Sequence, residues 1–266
     1  MKTAITLLTD FGTADYFVGA VKGAILSVNP QAVIVDITHE IPPQDIEAAA
    51  FTLLAAYKTF PAGTIHVAVV DPGVGSTRRP IILSANEQFF VGPDNGLFTY
   101  IYDRESSHKV FHVTAEKYFR LEPSSTFHGR DIFAPVAAAL SNGVNPRKFG
   151  PGIDDAVRLP VSVEPELLKN GDVRARIIHI DRFGNCITNI TRDLVQPNAS
   201  LLINRKTIRK FRNFYGEDSG TSPFAIWGSA GFLEISVNGA SASEVLRAQR
   251  NEKVVLTQRR KDAKKN

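Results

Sequence analysis

Short apolar runs alternate with amphipathic stretches through the first half of the chain. Residues 5–9 form an apolar run suited to a buried strand, and the run ends on Asp10. The spacing after Asp15 predicts a helix with Phe17, Val21, Ala24, Ile25 and Val28 on one face, stopped by Pro30. Residues 33–37 read as a second strand. Past Pro42 and Pro43, Asp45 can cap a helix whose apolar stripe is Ile46, Ala49, Ala50, Leu53, Leu54 and Tyr57. Residues 64–70 form a third buried strand, and it too ends on an acid, Asp71. Strands follow at 81–84, 88–91 and 109–113, then a helix over 131–140 closed by Gly143. Strand, helix, strand, helix, strand predicts an α/β domain over residues 1–160, a Rossmann-like parallel sheet. Ligands of such sheets lie beyond the carboxyl ends of the strands, where Asp10 and Asp71 stand.

Past Pro160 the helical period all but disappears. Short strands are predicted at 174–180, 187–190, 200–204, 225–227, 232–237 and 253–257, with Gly, Asn and Pro between them. This pattern describes a smaller C-terminal β-barrel domain over residues 170–260. Residues 149–169, rich in Pro, Gly and acids, form the linker.

Composition narrows the possible functions. The 266 residues are 43% hydrophobic and 22% charged, enough apolar material for a sizeable core. The net charge of +4 is carried entirely by the end of the chain, where Arg259 and Arg260 lead into a basic tail, residues 261–266. The remainder is near neutral, so no nucleic-acid partner is expected. Cys186 is the only cysteine, which excludes an intrachain disulfide and a cysteine-held zinc. No stretch approaches a membrane span, and Asp10 interrupts the apolar start too early for a leader, so the chain reads as cytoplasmic.

Four segments can carry chemistry. Residues 70–80 (Val-Asp-Pro-Gly-Val-Gly-Ser-Thr-Arg-Arg-Pro) are glycine-rich, yet lack the Gly-Lys-Ser/Thr ending of a phosphate loop and lead into a strand. They are either a tight surface turn or a loop that folds Arg78 back toward Asp71, keeping the carboxylate ionised. His128, in Thr126-Phe127-His128-Gly129-Arg130-Asp131, precedes a helix and is either a cap or a group that meets other strand ends. His66 lies inside an apolar strand as a core histidine, and His39, His108, His112 and His179 are read as offering no metal-ligand spacing. Asp181, Phe183 and Asn185 are an ordinary Asp–Gly turn or a set that binds an amine, stacks a base and reads its edge. Asp10 either grips ribose hydroxyls or caps the next helix.

In this order, 70–79, Gly92-Pro93-Asp94-Asn95-Gly96, 127–131 and 181–185 resemble the adenosine-forming S-adenosylmethionine hydrolases, relatives of fluorinase and chlorinase. The resemblance runs from Leu8-Thr9-Asp10-Phe11-Gly12 to Gly231-Phe232-Leu233-Glu234-Ile235. It implies hydrolysis of S-adenosylmethionine to adenosine and methionine, with Asp71, Arg78 and His128 around the attacking water. It further implies Asp10 on the ribose, Phe183, Asn185 and Tyr215 around the adenine, and Asp181 and Ser229 near the methionine end. No metal or cofactor is implied, and the assembly is a homotrimer with sites between one subunit's α/β domain and a neighbour's β domain. In the halogenases an aromatic replaces the aspartate and a small hydroxyl residue follows the histidine; with Asp71, His128 and Gly129 this chain looks like the hydrolase branch. Residues 227–231 depart from the pattern, which usually has Asn and a second Ser or an Arg there. A nucleoside-binding protein without turnover and a halide-dependent transferase are the alternatives. The leaving group of a sulfonium is a neutral thioether, so the chemistry asks mainly for a placed and activated water.

Overall fold

The apolar run after Thr3 becomes β1 (Ala4–Thr9), the strand on which the first sheet is built. A computed structural model describes residues 3–160, 163–217 and 219–258; the basic tail lies outside them. The chain divides into two compact units between residues 162 and 163.

In the first unit, β1 is followed by α1 (Phe17–Val28), β2 (Val33–Thr38), α2 (Ile46–Ala56) and β3 (Ile65–Val69). Then come β4 (Pro80–Ala85), β5 (Gln88–Pro93), α3 (Thr99–Arg104), β6 (His108–His112), α4 (Ala134–Ser141) and β7 (Gly152–Ile153). Asp45 caps α2 as its position suggests, its carboxylate accepting from the Ala48 N–H at 2.9 Å. The sheet order is β2-β1-β3-β5-β4-β6-β7. The first four strands of that order run parallel, but β4, β6 and β7 are antiparallel to their neighbours. The wholly parallel sheet is therefore corrected to a mixed one. The cause is local: Asn86 and Glu87 both take positive φ (50° and 56°), the geometry of a two-residue hairpin, and a hairpin joins only antiparallel strands. The edge strand β2 exposes Val33 and Val35, and Val28, assigned to the apolar face of α1, is 40% exposed.

Alternation along the central strands builds two layers of core. Ile5, Leu7, Val67 and Val91 share a cluster with Val21, Ile25, Val136 and Leu140 of α1 and α4. On the opposite side chains of the same strands, the His66 ring stacks on Phe90 (centroids 4.9 Å) and meets Phe60 edge-on at 5.5 Å. Its Nδ1 is 2.7 Å from Thr6 Oγ1.

The second unit contains β8 (Glu166–Leu167), β9 (Val173–Ile180), β10 (Cys186–Thr191), β11 (Ser200–Ile203), β12 (Lys206–Ile208) and β13 (Phe211–Arg212). It continues with β14 (Phe224–Trp227), β15 (Phe232–Ser236), α5 (Ala242–Leu246) and β16 (Lys253–Thr257). Its order is β12-β11-β16-β9-β10-β15-β14-β13, with β8 on β9. Among the described residues β12 and β13 do not pair, so the sheet is curled and open where a barrel would close. Ile177, Leu201, Leu233, Ile235 and Leu256 fill its core. Among the described residues, no helix is long and apolar enough to cross a membrane.

Burial pushes the His66 pKa down from 6.5 to about 4, against a small opposing pull from Gln88. The unfolded chain therefore takes up a proton that the native state refuses. Stability held above pH 6.5 is lost as pH falls toward 4, by up to about 3 kcal/mol. Denaturant melts of the wild type and of His66→Phe at pH 7 and pH 4.5 check this: the substitution removes that part of the acid sensitivity.

Candidate active site

Register brings two acids together. Thr9 of β1 lies beside Val69 of β3, so Asp10 and Asp71 leave the sheet at the same carboxyl end, where the order of connections reverses. After Asp71 the backbone makes two consecutive turns, Val74 N–H to Asp71 O (3.2 Å) and Ser76 N–H to Gly73 O (3.1 Å). Gly75 has φ +78°, and a Cβ there would lie 2.3 Å from the Ser125 carbonyl oxygen, so only glycine fits.

These turns fold Arg78 back onto Asp71. Arg78 Nε donates to both Asp71 oxygens at 2.9 Å, and Nη2 also donates to Oδ2. The same Nη2 stands 2.7 Å from His128 Nδ1. The Phe133 ring lies under the guanidinium at 5.2 Å, and the Arg78 and Asp71 side chains are only 9% and 5% exposed. Arg78 Nη1 is buried with no acceptor among the described residues. His128 sits at the start of a π-helical turn, Gly129–Phe133, that runs into α4. Desolvation and then the Arg78 charge hold its pKa below 6.5, only partly offset by Asp71 and Asp131.

A cavity of about 430 Å³ opens at this end, lined by Asp10, Phe11, Asp71, Phe127, His128 and Gly129 among others. Asp10 Oδ2 accepts the Gln44 N–H at 2.8 Å rather than capping the following helix. The rings of Phe11, Phe17 and Phe127 pack with centroids 5.3–5.9 Å apart. A Cβ on Gly129 would already touch Phe11 and Phe127 at 3.4 Å.

The second unit has its own cavity of about 770 Å³, onto which Asp181, Phe183, Asn185, Tyr215 and Ser229 all face. The Asp181 carboxylate is tied into its own turn. Oδ1 accepts the N–H groups of Phe183 (2.9 Å) and Asn185 (2.8 Å), and Oδ2 accepts Asn185 Nδ2 at 2.8 Å. Gly184, at φ +82°, sits so close to Ser241 that a Cβ would be 2.2 Å from its hydroxyl. Phe183 is left 77% exposed. Residues 227–231 form the β14–β15 turn that presents Ser229, closed by Gly228 N–H to Phe232 O at 2.9 Å.

Glu234 lines this cavity and was missed by the reading of the sequence. It is buried on β15 and accepts the Tyr215 hydroxyl at 3.0 Å. Burial raises its pKa, Tyr215 opposes the shift and Asp181 adds to it; the Tyr215 hydroxyl is itself pushed up to about 12. The signal available was a carboxylate placed between apolar residues in Phe-Leu-Glu-Ile.

The chain does carry one His-x-x-x-His spacing, contrary to the expectation that it has none. His108 and His112 are four apart, a ligand spacing on a helix, but they stand at the two ends of β6, separated by a rise of roughly 13 Å. Among the described residues, no group of three or more His, Cys, Asp or Glu is disposed to hold a metal ion.

Comparison with known proteins follows this division of the chain. Residues 5–150 match the SAM hydroxide adenosyltransferase N-terminal domain, and residues 175–255 match the C-terminal domain of the same family. A Methanocaldococcus jannaschii protein named (R)-S-adenosyl-L-methionine hydrolase is 40% identical over 259 residues, 91% of each chain. The Thermus thermophilus protein of that name is 36% identical, covering 91% of this chain and 94% of its own. A fluorinase from Nocardia brasiliensis is more distant, at 28% over 72% of each. The crystal structure of an uncharacterized conserved protein from Thermotoga maritima superposes with a TM-score of 0.89 at 34% identity, covering 96% of this chain and all of its own. On both domains and on these relatives, the chain belongs to the SAM hydroxide adenosyltransferase family.

Proposed function

We propose that this protein hydrolyses S-adenosyl-L-methionine to adenosine and L-methionine, and that the Asp71–Arg78–His128 chain activates the water. The observation that carries this is Arg78 bonded at once to Asp71 and to His128 Nδ1.

A guanidinium only donates, so His128 Nδ1 must accept. The neutral ring then carries its proton on Nε2 and has no lone pair left for a base. His128 is therefore a donor that orients the water. Asp71 takes the water's proton through a lone pair not engaged by Arg78, and the guanidinium stabilises the developing hydroxide. The oxygen forms a bond to ribose C5′ as the C5′–S bond breaks. The electron pair of the broken C5′–S bond goes to sulfur, which leaves as the neutral thioether of methionine, and the proton on Asp71 passes to solvent.

Asp10 faces the same cavity and suits the ribose hydroxyls. In the second unit the Asn185 amide, its Nδ2 turned to Asp181, presents Oδ1, and Phe183 offers an exposed ring for the adenine. Ser229 and Glu234 complete the polar lining. The assembly is a homotrimer in which a substrate site combines the first unit of one subunit with the second unit of its neighbour. Supporting this, Asp71 and His128 line a cavity of the first unit while Asn185, Tyr215 and Glu234 line one of the second, so each unit offers part of the polar groups that the substrate needs.

Purified protein in chloride-free buffer should release adenosine and methionine in equal amounts, read by chromatography. Arg78→Ala should lower turnover by about two orders of magnitude or more. Turnover that appears only with added halide, or bound substrate without turnover, would refute the hydrolase.

Because His128 must be neutral to accept from Arg78, kcat should hold as pH falls through 6.5 and drop only below it. His128→Gln should be slower and should lack that acid limb. A limb that persists in the variant assigns the titration elsewhere.

Subunit complementation tests the shared site. Arg78→Ala and Asn185→Ala proteins, unfolded together and refolded as a mixture, should recover about a quarter of the wild-type activity per site if each site draws on two subunits. No recovery would place both halves in one chain.

A further inference from the structure

The segment Gly92-Pro93-Asp94-Asn95-Gly96 lines neither cavity, although it is among the most distinctive in the sequence. Its polar side chains turn instead toward the two ends of the loop that carries Asp71 and Arg78. Asn95 Nδ2 donates to the Val70 carbonyl at 2.8 Å, one residue before Asp71. The Asn95 amide is itself fixed by the Leu97 N–H on Oδ1 at 3.2 Å. One residue after Arg78, the Arg79 carbonyl accepts the Asp94 N–H at 2.9 Å, and Arg79 Nε donates to Asp94 Oδ2 at 2.8 Å. The Asp94 carboxylate is 1% exposed, and its other oxygen takes the Val157 N–H at 2.8 Å.

We propose that Asp94 and Asn95 are positioning residues for the reaction, gripping residues 70 and 79 so that Asp71 and Arg78 meet at a fixed separation. The inference rests on Asp71, Arg78 and His128 being the catalytic set.

The physical case is one of leverage. Between residues 70 and 79 the loop is held by two short turns and by the ion pair itself. An ion pair with free ends can adopt several bidentate and monodentate arrangements. Clamping the residues just outside it selects one, and with it the position of Nη2 against His128. The clamp is rigid for steric reasons as well. A Cβ on Gly92 would fall 2.4 Å from the Ala68 carbonyl oxygen, and Gly96, at φ +96°, lies against Leu159. Arg79 also reaches Asp155, through Nη1 to Oδ1 at 2.8 Å and Nη2 to the carbonyl at 3.0 Å. That second tie fixes the segment leading out of the first unit. Asn95 takes no part in it, which separates the two roles.

Steady-state hydrolysis of S-adenosylmethionine by the full-length protein decides the matter, with thermal melts of each variant. Asn95→Asp is nearly isosteric but replaces the donor with an acceptor facing the Val70 carbonyl. It should lower kcat about tenfold or more while KM moves less than about threefold, in protein that melts close to the wild type. Asn95→Ala should be milder, Asp94→Asn should again lower kcat more than it changes KM, and Asp155→Ala should be near normal. If Asn95→Asp fails to fold, Asp94→Asn carries the test alone. Unchanged kcat in the Asp94 and Asn95 variants alongside an inactive Arg78→Ala overturns the positioning role and leaves the catalytic set intact. An active Arg78→Ala overturns both.

Discussion

A buried guanidinium has to be met on several sides, and in the first unit Arg78 sets the terms for everything around it. Taking its charge out of water costs several kcal/mol unless a carboxylate and further acceptors receive it. Asp71 supplies the charge, His128 Nδ1 a neutral acceptor and Phe133 a ring face. Asp71 comes from the end of β3, and His128 and Phe133 from the turn that leads into α4, so both local structures are constrained by the same ion. Gly75 is confined to a positive φ because the loop must double back within seven residues. The π-helical turn at Gly129–Phe133 delivers His128 and Phe133 together from adjoining elements. π turns break the regular helix ladder, and a site that needs two side chains from one entry turn is a natural place for one.

The sheet provides the fixed end of this arrangement. β1 and β3 are neighbours with connections leaving in opposite directions, so the crevice beyond Thr9 and Val69 is open to a ligand. Asp10 and Asp71 are held there by the backbone register rather than by side-chain packing. The antiparallel half of the sheet contributes differently. β4 begins immediately after Arg79 and pairs with β5, whose last residue, Pro93, stands opposite Pro80. The hairpin that spoils the parallel pattern is thus what returns Asp94 and Asn95 to the base of the Asp71–Arg78 loop.

The sequence carried most of this where local pattern and tertiary role coincide. The strands ending on Asp10 and Asp71, the cap at Asp45 and the core role of His66 follow from period, spacing and residue type. The antiparallel half was less legible because an apolar run shows that a strand is buried but not which way it runs. Asn86-Glu87 gave no warning, because Glu is a rare residue at the positive φ that a two-residue hairpin needs. The segment from Asp181 to Asn185 was visible as a turn, whereas its internal hydrogen bonding was not. Glu234 was hidden for a related reason. A lone acid in an apolar strand signals something unusual but not its surroundings, and the Tyr215 hydroxyl, the close approach of Gly228 and the cavity beside it come only from the fold.

The second unit's hydrogen bonds also say what kind of ligand group its cavity suits. Asp181 accepts three hydrogen bonds from its own turn and so orients Asn185, while still facing the cavity. The turn leaves Asn185 Oδ1 facing away from Asp181 as an acceptor. Glu234 is a second acceptor, and the Tyr215 hydroxyl spends its proton on Glu234. Two acceptors, Asn185 Oδ1 and Glu234, thus stand in the cavity beside the exposed ring of Phe183, with the Ser229, Asn238 and Ser241 side chains also on its wall. Such a lining favours a flat, apolar-faced group whose edge carries N–H donors, and a purine amino group meets that description. A purine bearing a carbonyl at the same position would set oxygen against oxygen. In the proposed reaction, discrimination against such a nucleoside would rest on the way Asp181 and Tyr215 commit the polar atoms around them.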